Sequence, residues 1–232
     1  MTVSSPIRTL GIIGAGRLGR VLATLAVDAG YRVVVARSGD PAPVARTIAA
    51  IGATAATVSD VIAVSDAVIL ALPLSRCQTL PADEMRGMLV VDAMNYWWGA
   101  DGDRPDLDDP RISTSELVQR HLAGARVVKG LGHMGYHDME DEARPAGAPG
   151  RKAIAIAGDT AADLDIVSRL IDDLGFDTVI AGSLASGIML EPGADAFGAD
   201  VGADELREML DGFATSQRGI VVARARGGSL PT

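Results

Sequence analysis

The chain is poor in several of the residues on which protein chemistry commonly relies. Its 232 residues include one cysteine, Cys77, so no disulfide can close within it and no cysteine cluster can hold a metal. That usage suits a reducing compartment, and a cytoplasmic setting is expected. Aromatic residues make up 3% against 48% hydrophobic residues in all, so Ala, Val, Leu and Ile must build most of the core. Basic blocks are missing and the formal charge is −9, which argues against nucleic acid or an anionic membrane surface as partner and leaves a small molecule. Long apolar runs are missing too. The stretch 58–74 is broken by Asp60, Asp66 and Pro73, against a membrane span. Met1-Thr2-Val3-Ser4-Ser5-Pro6 has neither the basic region nor the apolar run of a secretory signal, so none is expected.

Glycine, by contrast, is plentiful, and one group of glycines organises the rest. Leu10-Gly11-Ile12-Ile13 reads as the end of an apolar strand, and Gly14-Ala15-Gly16-Arg17-Leu18-Gly19 follows at once. Leu18, Val21, Leu22, Leu25, Ala26 and Ala29 then recur at helical spacing until Gly30. A G-x-G-x-x-G that leaves a strand and opens a helix is the mark of a dinucleotide site. Gly14 makes the tight turn, Gly16 lets a diphosphate approach the backbone, and Gly19 lets helix and strand pack closely. The helix N-terminus then receives the diphosphate through free N–H groups and the dipole. Gly14, Ala15, Gly16, Arg17 and Leu18 are therefore cofactor-binding candidates.

Apolar runs without clear alternation predict further strands at 32–36, 53–58, 67–71, 88–92, 126–129, 152–157 and 177–181. Helical stripes separate them, at 44–51 behind Asp40-Pro41, at 160–174, and behind the capping box Ser113-Thr114-Ser115-Glu116, with a short helix at 81–86. Strands alternating with helices imply an α/β chain with a mostly parallel sheet covered on both faces. Residues 1–182 are expected to form the nucleotide-binding domain with its sheet extension. Residues 183–232 form a small C-terminal segment, with a short helix around Leu206, Met209, Leu210 and Phe213 and a mobile end at 227–232. Two long connections, 93–112 and 130–151, leave the C-terminal ends of parallel strands, where ligands of open α/β sheets bind.

The second strand ends in Arg37-Ser38, with no carboxylate before Asp40. An NAD site usually carries Asp or Glu there for the ribose 2′-OH, whereas a guanidinium suits the 2′-phosphate of NADP(H). Leu72-Pro73 ends the fourth strand, where its backbone would pass the nicotinamide ribose. Asp92 and Asn95 end the fifth, to bond a ligand or hold the loop; Asp92 either caps its own turn or meets substrate, and Asn95 is counted among the cofactor-binding candidates. Lys129 ends the sixth, to meet an anionic substrate, to act as an acid, or as a surface charge. His133-Met134-Gly135-Tyr136-His137 is the densest polar cluster. The intervening glycine argues against a metal-binding helix, and no metal is expected. His133 is instead assigned to contact with the reacting rings, with Met134 and Tyr136 beside it. His121 reads as a helix-end cation. Trp97-Trp98 either walls the substrate cleft or fills a local gap.

Taken together these motifs resemble one family, the NADPH-dependent reductases of the deazaflavin coenzyme F420. The matching pieces run in order: 11–19, Ala36-Arg37-Ser38, Ala71-Leu72-Pro73, Asp92-Ala93-Met94-Asn95, 124–129, Asp173-Leu174-Gly175-Phe176-Asp177 and Leu190-Glu191-Pro192. The resemblance implies a Rossmann-type, doubly wound, mostly parallel sheet with added mixed-sheet strands, a small C-terminal helical segment and a homodimer. It implies hydride transfer between NADP(H) and coenzyme F420 as co-substrate, with no covalent nucleophile and catalysis by positioning. After the family's lysine an Asn or His and then Thr are expected; Gly132 and His133 stand there instead. Two rival readings share the glycine turn. One is an NADPH-dependent reductase of an imine, ketone, flavin or metal ion; the other is a non-catalytic module that senses NADPH.

Overall fold

The computed structural model describes residues 7–227. The residues of the expected non-signal start and most of the expected mobile end, 228–232, lie outside them. In chain order the elements are β1 Thr9–Ile13, α1 Arg17–Asp28, β2 Arg32–Ala36, α2 Ala42–Ala50, β3 Thr54–Ala56, α3 Val58–Val64, β4 Ala67–Leu70, β5 Leu89–Asp92, α4 Trp98–Asp101, α5 Thr114–His121, β6 Arg126–Lys129, α6 Tyr136–Glu142, β7 Ala153–Gly158, α7 Ala161–Asp173, β8 Asp177–Gly182, α8 Ala203–Asp211 and α9 Gln217–Ala225. Short 3-10 segments occupy Leu74–Thr79 and Leu184–Leu190, among others. No helix among the described residues is long and apolar enough to cross a membrane.

The strands form one eight-stranded sheet in the order β3-β2-β1-β4-β5-β6-β7-β8. All pairs from β3 to β6 are parallel, β6 and β7 run antiparallel, and β7 and β8 are parallel again. This is the doubly wound, mostly parallel α/β sheet with a mixed extension. The order reverses between β1 and β4, which opens a crevice at their C-terminal ends.

Both faces of the sheet are apolar, which is why the strands read as continuous runs. Val33 and Val35 face the layer containing α1 and α7, while Val34 and Ala36 face the layer containing α3 and α5. Ala67 and Ile69 alternate with Val68 and Leu70 in the same way. At the β7–β8 end, Ala153, Ala155 and Val179 are covered by Ile188, Leu190, Leu206, Phe213 and Val222. Residues 184–222 thus cover one face of the same sheet.

Several boundaries differ from expectation for local reasons. The strand expected at 53–58 stops at Ala56 because Thr57 caps α3, its hydroxyl accepting from Asp60 N at 3.2 Å. Residues 82–87 form turns instead of the helix expected at 81–86, and the helical geometry lies just before them at Leu74–Thr79. The C-terminal segment holds a helix not anticipated, α9, capped by Ser216. Its stripe is hidden by Gly219, where a Cβ would lie 1.7 Å from Phe213 O. The long connections are also not bare loops, since α4 lies in the first and α6 in the second.

Candidate nucleotide-binding site

The glycine turn joins β1 to α1 at the crevice, and each glycine has a separate cause. Gly14 has φ +128°, and a Cβ there would lie 2.0 Å from Ala71 O, so the turn passes directly against the end of β4. A Cβ on Gly19 would lie 1.8 Å from Gly14 O, so the helix packs onto the turn itself. Gly16 differs: nothing lies within 4 Å of a Cβ built there. The protein leaves that space open, as a site for an approaching diphosphate requires. Gly16 is also the N-cap of α1, with no side-chain cap and no acidic residue in the first turn. The N–H groups opening α1 therefore meet no competing carboxylate.

From this turn a cleft of about 830 Å³ runs along the C-terminal ends of β1, β2 and β4. It gathers Gly14, Ala15, Gly16, Arg37, Ser38, Leu72 and Pro73 from the expected cofactor set. Its lining holds two arginines and no carboxylate, in a chain of formal charge −9. The second arginine, Arg76, was not singled out from sequence. It lies in the 3-10 segment after Pro73, folded back by Arg76 N donating to Pro73 O at 2.9 Å. The signal was an arginine three residues past a strand-ending Leu-Pro; the missing step was the tight turn. Neither Arg37 nor Arg76 enters an ion pair among the described residues.

Arg17 and Leu18, also expected at the cofactor, form the first turn of α1 and do not line the cleft. The Arg17 side chain points away, donating from Nη1 to Tyr136 Oη at 2.9 Å with its guanidinium 5.9 Å from the Tyr136 ring centroid. These two side chains line a separate shallow groove between α1 and α6, not the cleft. Asn95 does not line the cleft either. Its Nδ2 donates to Gly132 O at 2.7 Å and its Oδ1 accepts from Lys129 Nζ at 2.9 Å.

Lys129, assigned to substrate or surface, is neither in this structure. It is 0% exposed and also donates to Met94 O, with Asp92 Oδ2 at 3.9 Å. Asp92 is equally buried, accepting from Met94 N at 3.0 Å and from Ser115 Oγ at 2.6 Å. The pair ties β6 to the turn after β5, so its charges are spent on shaping that turn. Gly132 follows from the same closeness: a Cβ there would lie 2.8 Å from Ala93 O. Met134 is a core residue.

His133 requires the main correction. It was assigned to ring contact, yet it is 2% exposed and both ring nitrogens are engaged. Nε2 accepts from Ala155 N at 2.9 Å, so Nδ1 carries the proton and donates to Ala196 O at 3.1 Å. Burial pushes its pKa down to about 4, so the ring is neutral near pH 7. Cys77 is buried as well, its thiol pushed up to about 12, which makes it a poor nucleophile.

The sheet order, the reversal point and the glycine turn define a Rossmann-type α/β fold. Residues 9–96, from β1 to the turn after β5, match the family model described as NADP oxidoreductase coenzyme F420-dependent. Among solved structures, the chain is similar to a hypothetical protein of Sinorhizobium meliloti, 27% identical with TM-score 0.72, covering 83% of this chain and 94% of that one. It also shares its fold with a presumptive F420 dependent NADP-reductase of Arthrobacter sp. FB24, 23% identical with TM-score 0.67, covering 95% of each chain. An imine reductase of Myxococcus stipitatus shares the fold at 20% identity and TM-score 0.56, covering 98% of this chain and 68% of that one. A segment of 75 residues, 32% of this chain, is 36% identical to the Escherichia coli (strain K12) protein YjhV; the match spans about half of that relative, 53%.

Proposed function

We propose that this protein is an NADP(H)-dependent oxidoreductase whose second substrate is coenzyme F420 or a similar ring acceptor. The observation that carries the reading is the cleft at the glycine turn, with an open helix N-terminus, two unpaired arginines and no carboxylate. The backbone N–H groups after Gly16 would receive the diphosphate. Arg37, with Ser38, would take the 2′-phosphate, and Arg76 would add a second positive charge in the same cleft. Leu72 and Pro73 would guide the nicotinamide end across β4 toward the turn after β5. Asp92, Lys129 and Asn95 hold that turn rigid, so a ring beyond it meets a fixed surface. When bound, NADPH supplies the hydride, and no protein nucleophile is required. The family match over the nucleotide half supports this choice of cofactor.

Calorimetry with NADP and NAD tests the cofactor, and loss of deazaflavin absorbance on mixing NADPH with coenzyme F420 tests the acceptor. The expected result is NADP binding well ahead of NAD, and NADPH oxidation only with a ring acceptor. Folded protein with no affinity for NADP would overturn the reading. NADP binding without turnover across ring, carbonyl and imine acceptors would convert it to the sensing module.

A further inference from the structure

A second cavity, of about 580 Å³, lies behind the wall of the nucleotide cleft and is lined by a separate set of residues. It sits between the 3-10 segment Leu74–Thr79, the turn at 104–107 in the long connection after β5, and one face of α5. The 3-10 geometry explains how one segment serves both spaces. Residues three apart eclipse one another in such a helix. Pro73, Arg76 and Thr79 therefore line the cleft, while Leu74 with Cys77 and Ser75 with Gln78 line the cavity.

The cavity has an apolar floor and a charged rim. Leu74, Cys77, Leu107 and Val118 are buried and form the floor. Arg104, Asp106, Arg120 and His121 stand around the rim. Only one of these is an acid, and it is already engaged: Arg104 donates to Asp106 from Nε at 2.8 Å and from Nη2 at 2.6 Å. His121 Nε2 donates to Leu80 O at 3.2 Å. Arg120 enters no ion pair among the described residues. One free guanidinium is thus left beside an apolar hollow. The walls are tied together as well. Asp101 accepts from Ser75 N at 2.8 Å and from Trp97 N at 2.9 Å, which fastens the connection after β5 to the 3-10 segment. Folded interiors leave few voids larger than a water molecule, so a fixed space of this size, apolar within and polar at its mouth, has the form of a small-molecule site.

We propose that this cavity is a binding site for a small apolar monocarboxylate, separate from the nucleotide cleft. The body of the ligand, an aryl ring or a short acyl chain, would lie on the apolar floor. Its carboxylate would meet Arg120, whose planar fork matches it. A phosphate monoester suits the rim less, because its second negative charge would face Asp106 with one free cation to hold both. An occupant would also press on the side of the 3-10 segment opposite Arg76 and hold that arginine toward the cleft. This second effect rests on the cofactor reading above; the binding itself does not.

Calorimetry on the whole chain tests the site, with benzoate and, separately, hexanoate as probes and benzamide as the uncharged control. Saturable binding of an acid is expected, the tighter of the two identifying the kind of body, with benzamide about three- to tenfold weaker than benzoate. Arg120→Gln, a change at an exposed position, is expected to weaken the acid by the same factor and to erase its advantage over the amide. Leu117→Trp narrows the cavity from α5 and is expected to abolish acid binding while NADP affinity is kept. With the acid saturating, NADP is expected to bind about fivefold more tightly. The proposal is overturned if neither acid binds, if benzamide binds as well as benzoate, or if acid binding ignores both variants. It is also overturned if NADP displaces the acid, which would put the acid in the nucleotide cleft. NADP affinity that ignores bound acid would remove the effect on Arg76. Acid binding in protein with no NADP affinity would leave the cavity site standing and remove the oxidoreductase reading instead.

Discussion

At the scale of residues, the proposed function makes single side chains choose the dinucleotide. Arg37 and Arg76 reach it from different strands' ends and meet no acid there. Replacing Arg37 by Ala should weaken NADPH binding by about 1.5–3 kcal/mol, as for a charged hydrogen bond, and leave NADH nearly untouched. Arg76→Ala should weaken NADPH in the same direction. If Arg76 reads the 2′-phosphate, the double variant should bind NADPH and NADH alike, which calorimetry with both nucleotides checks. His133 makes a different residue-scale prediction. Its pKa is about 4 in the fold and near 6.5 unfolded, so between those values the unfolded chain binds more protons. Its contribution is complete above pH 6.5 and is lost as pH falls toward 4, by up to about 3 kcal/mol. Glu191 works the other way. Burial raises its pKa, so its contribution is complete at low pH and fades as pH rises through its folded value. Urea midpoints of the wild type and His133→Asn, compared from pH 7 to 4, should converge toward the acid end; parallel curves would contradict the buried neutral ring.

At the scale of elements, the β1–turn–α1 unit separates folding from binding. Gly19→Ala places a methyl against Gly14 O and should destabilise the fold by about 1–3 kcal/mol. Gly16→Ala meets open space and should cost less than about 1 kcal/mol, the loss of a good N-cap, yet lower NADP affinity by about tenfold or more. Thermal melts beside calorimetry would distinguish the two, and a Gly16→Ala protein with normal affinity would place the diphosphate elsewhere. This unit was legible in sequence because its causes are local: strand, turn and helix follow one another within a score of residues. So were β6 and the capping box of α5, where the structure keeps Ser113 and Glu116 in reciprocal contact. Arg76 was hidden by a turn of a single 3-10 segment. Lys129 and His133 were hidden for a deeper reason. A lysine at a strand end is normally solvated, and only partners 34 and 35 residues away show that this one is sealed. The partner that saturates His133 lies 63 residues further along. Periodicity cannot report such pairings.

Over the whole molecule, the sheet extension and the chain that follows it act as one body with the nucleotide half. Ser113 Oγ donates to Leu184 O at 3.0 Å, and Thr114 donates to buried Glu191 from both N and Oγ1, at 2.6 and 2.9 Å. The N-terminus of α5, which follows β5, is therefore capped in part by residues beyond β8. The same stretch supplies the apolar cover of β7 and β8, and through Ala196 it saturates His133. A chain ended after Gly182 would expose Ala153, Ala155 and Val179, strip Thr114 of its carboxylate and leave the His133 Nδ1–H without its acceptor. It should lose its cooperative melt and bind a hydrophobic dye, even though every residue lining the nucleotide cleft remains. A chain ended at Thr215 removes α9 alone, with Val222 as its part of the buried cluster, and should still melt cooperatively at a lower temperature. Were the 182-residue form to fold and bind NADP normally, the division into a nucleotide domain and a separate C-terminal segment would hold. If it collapses as expected, the stretch after β8 is the one that closes the sheet.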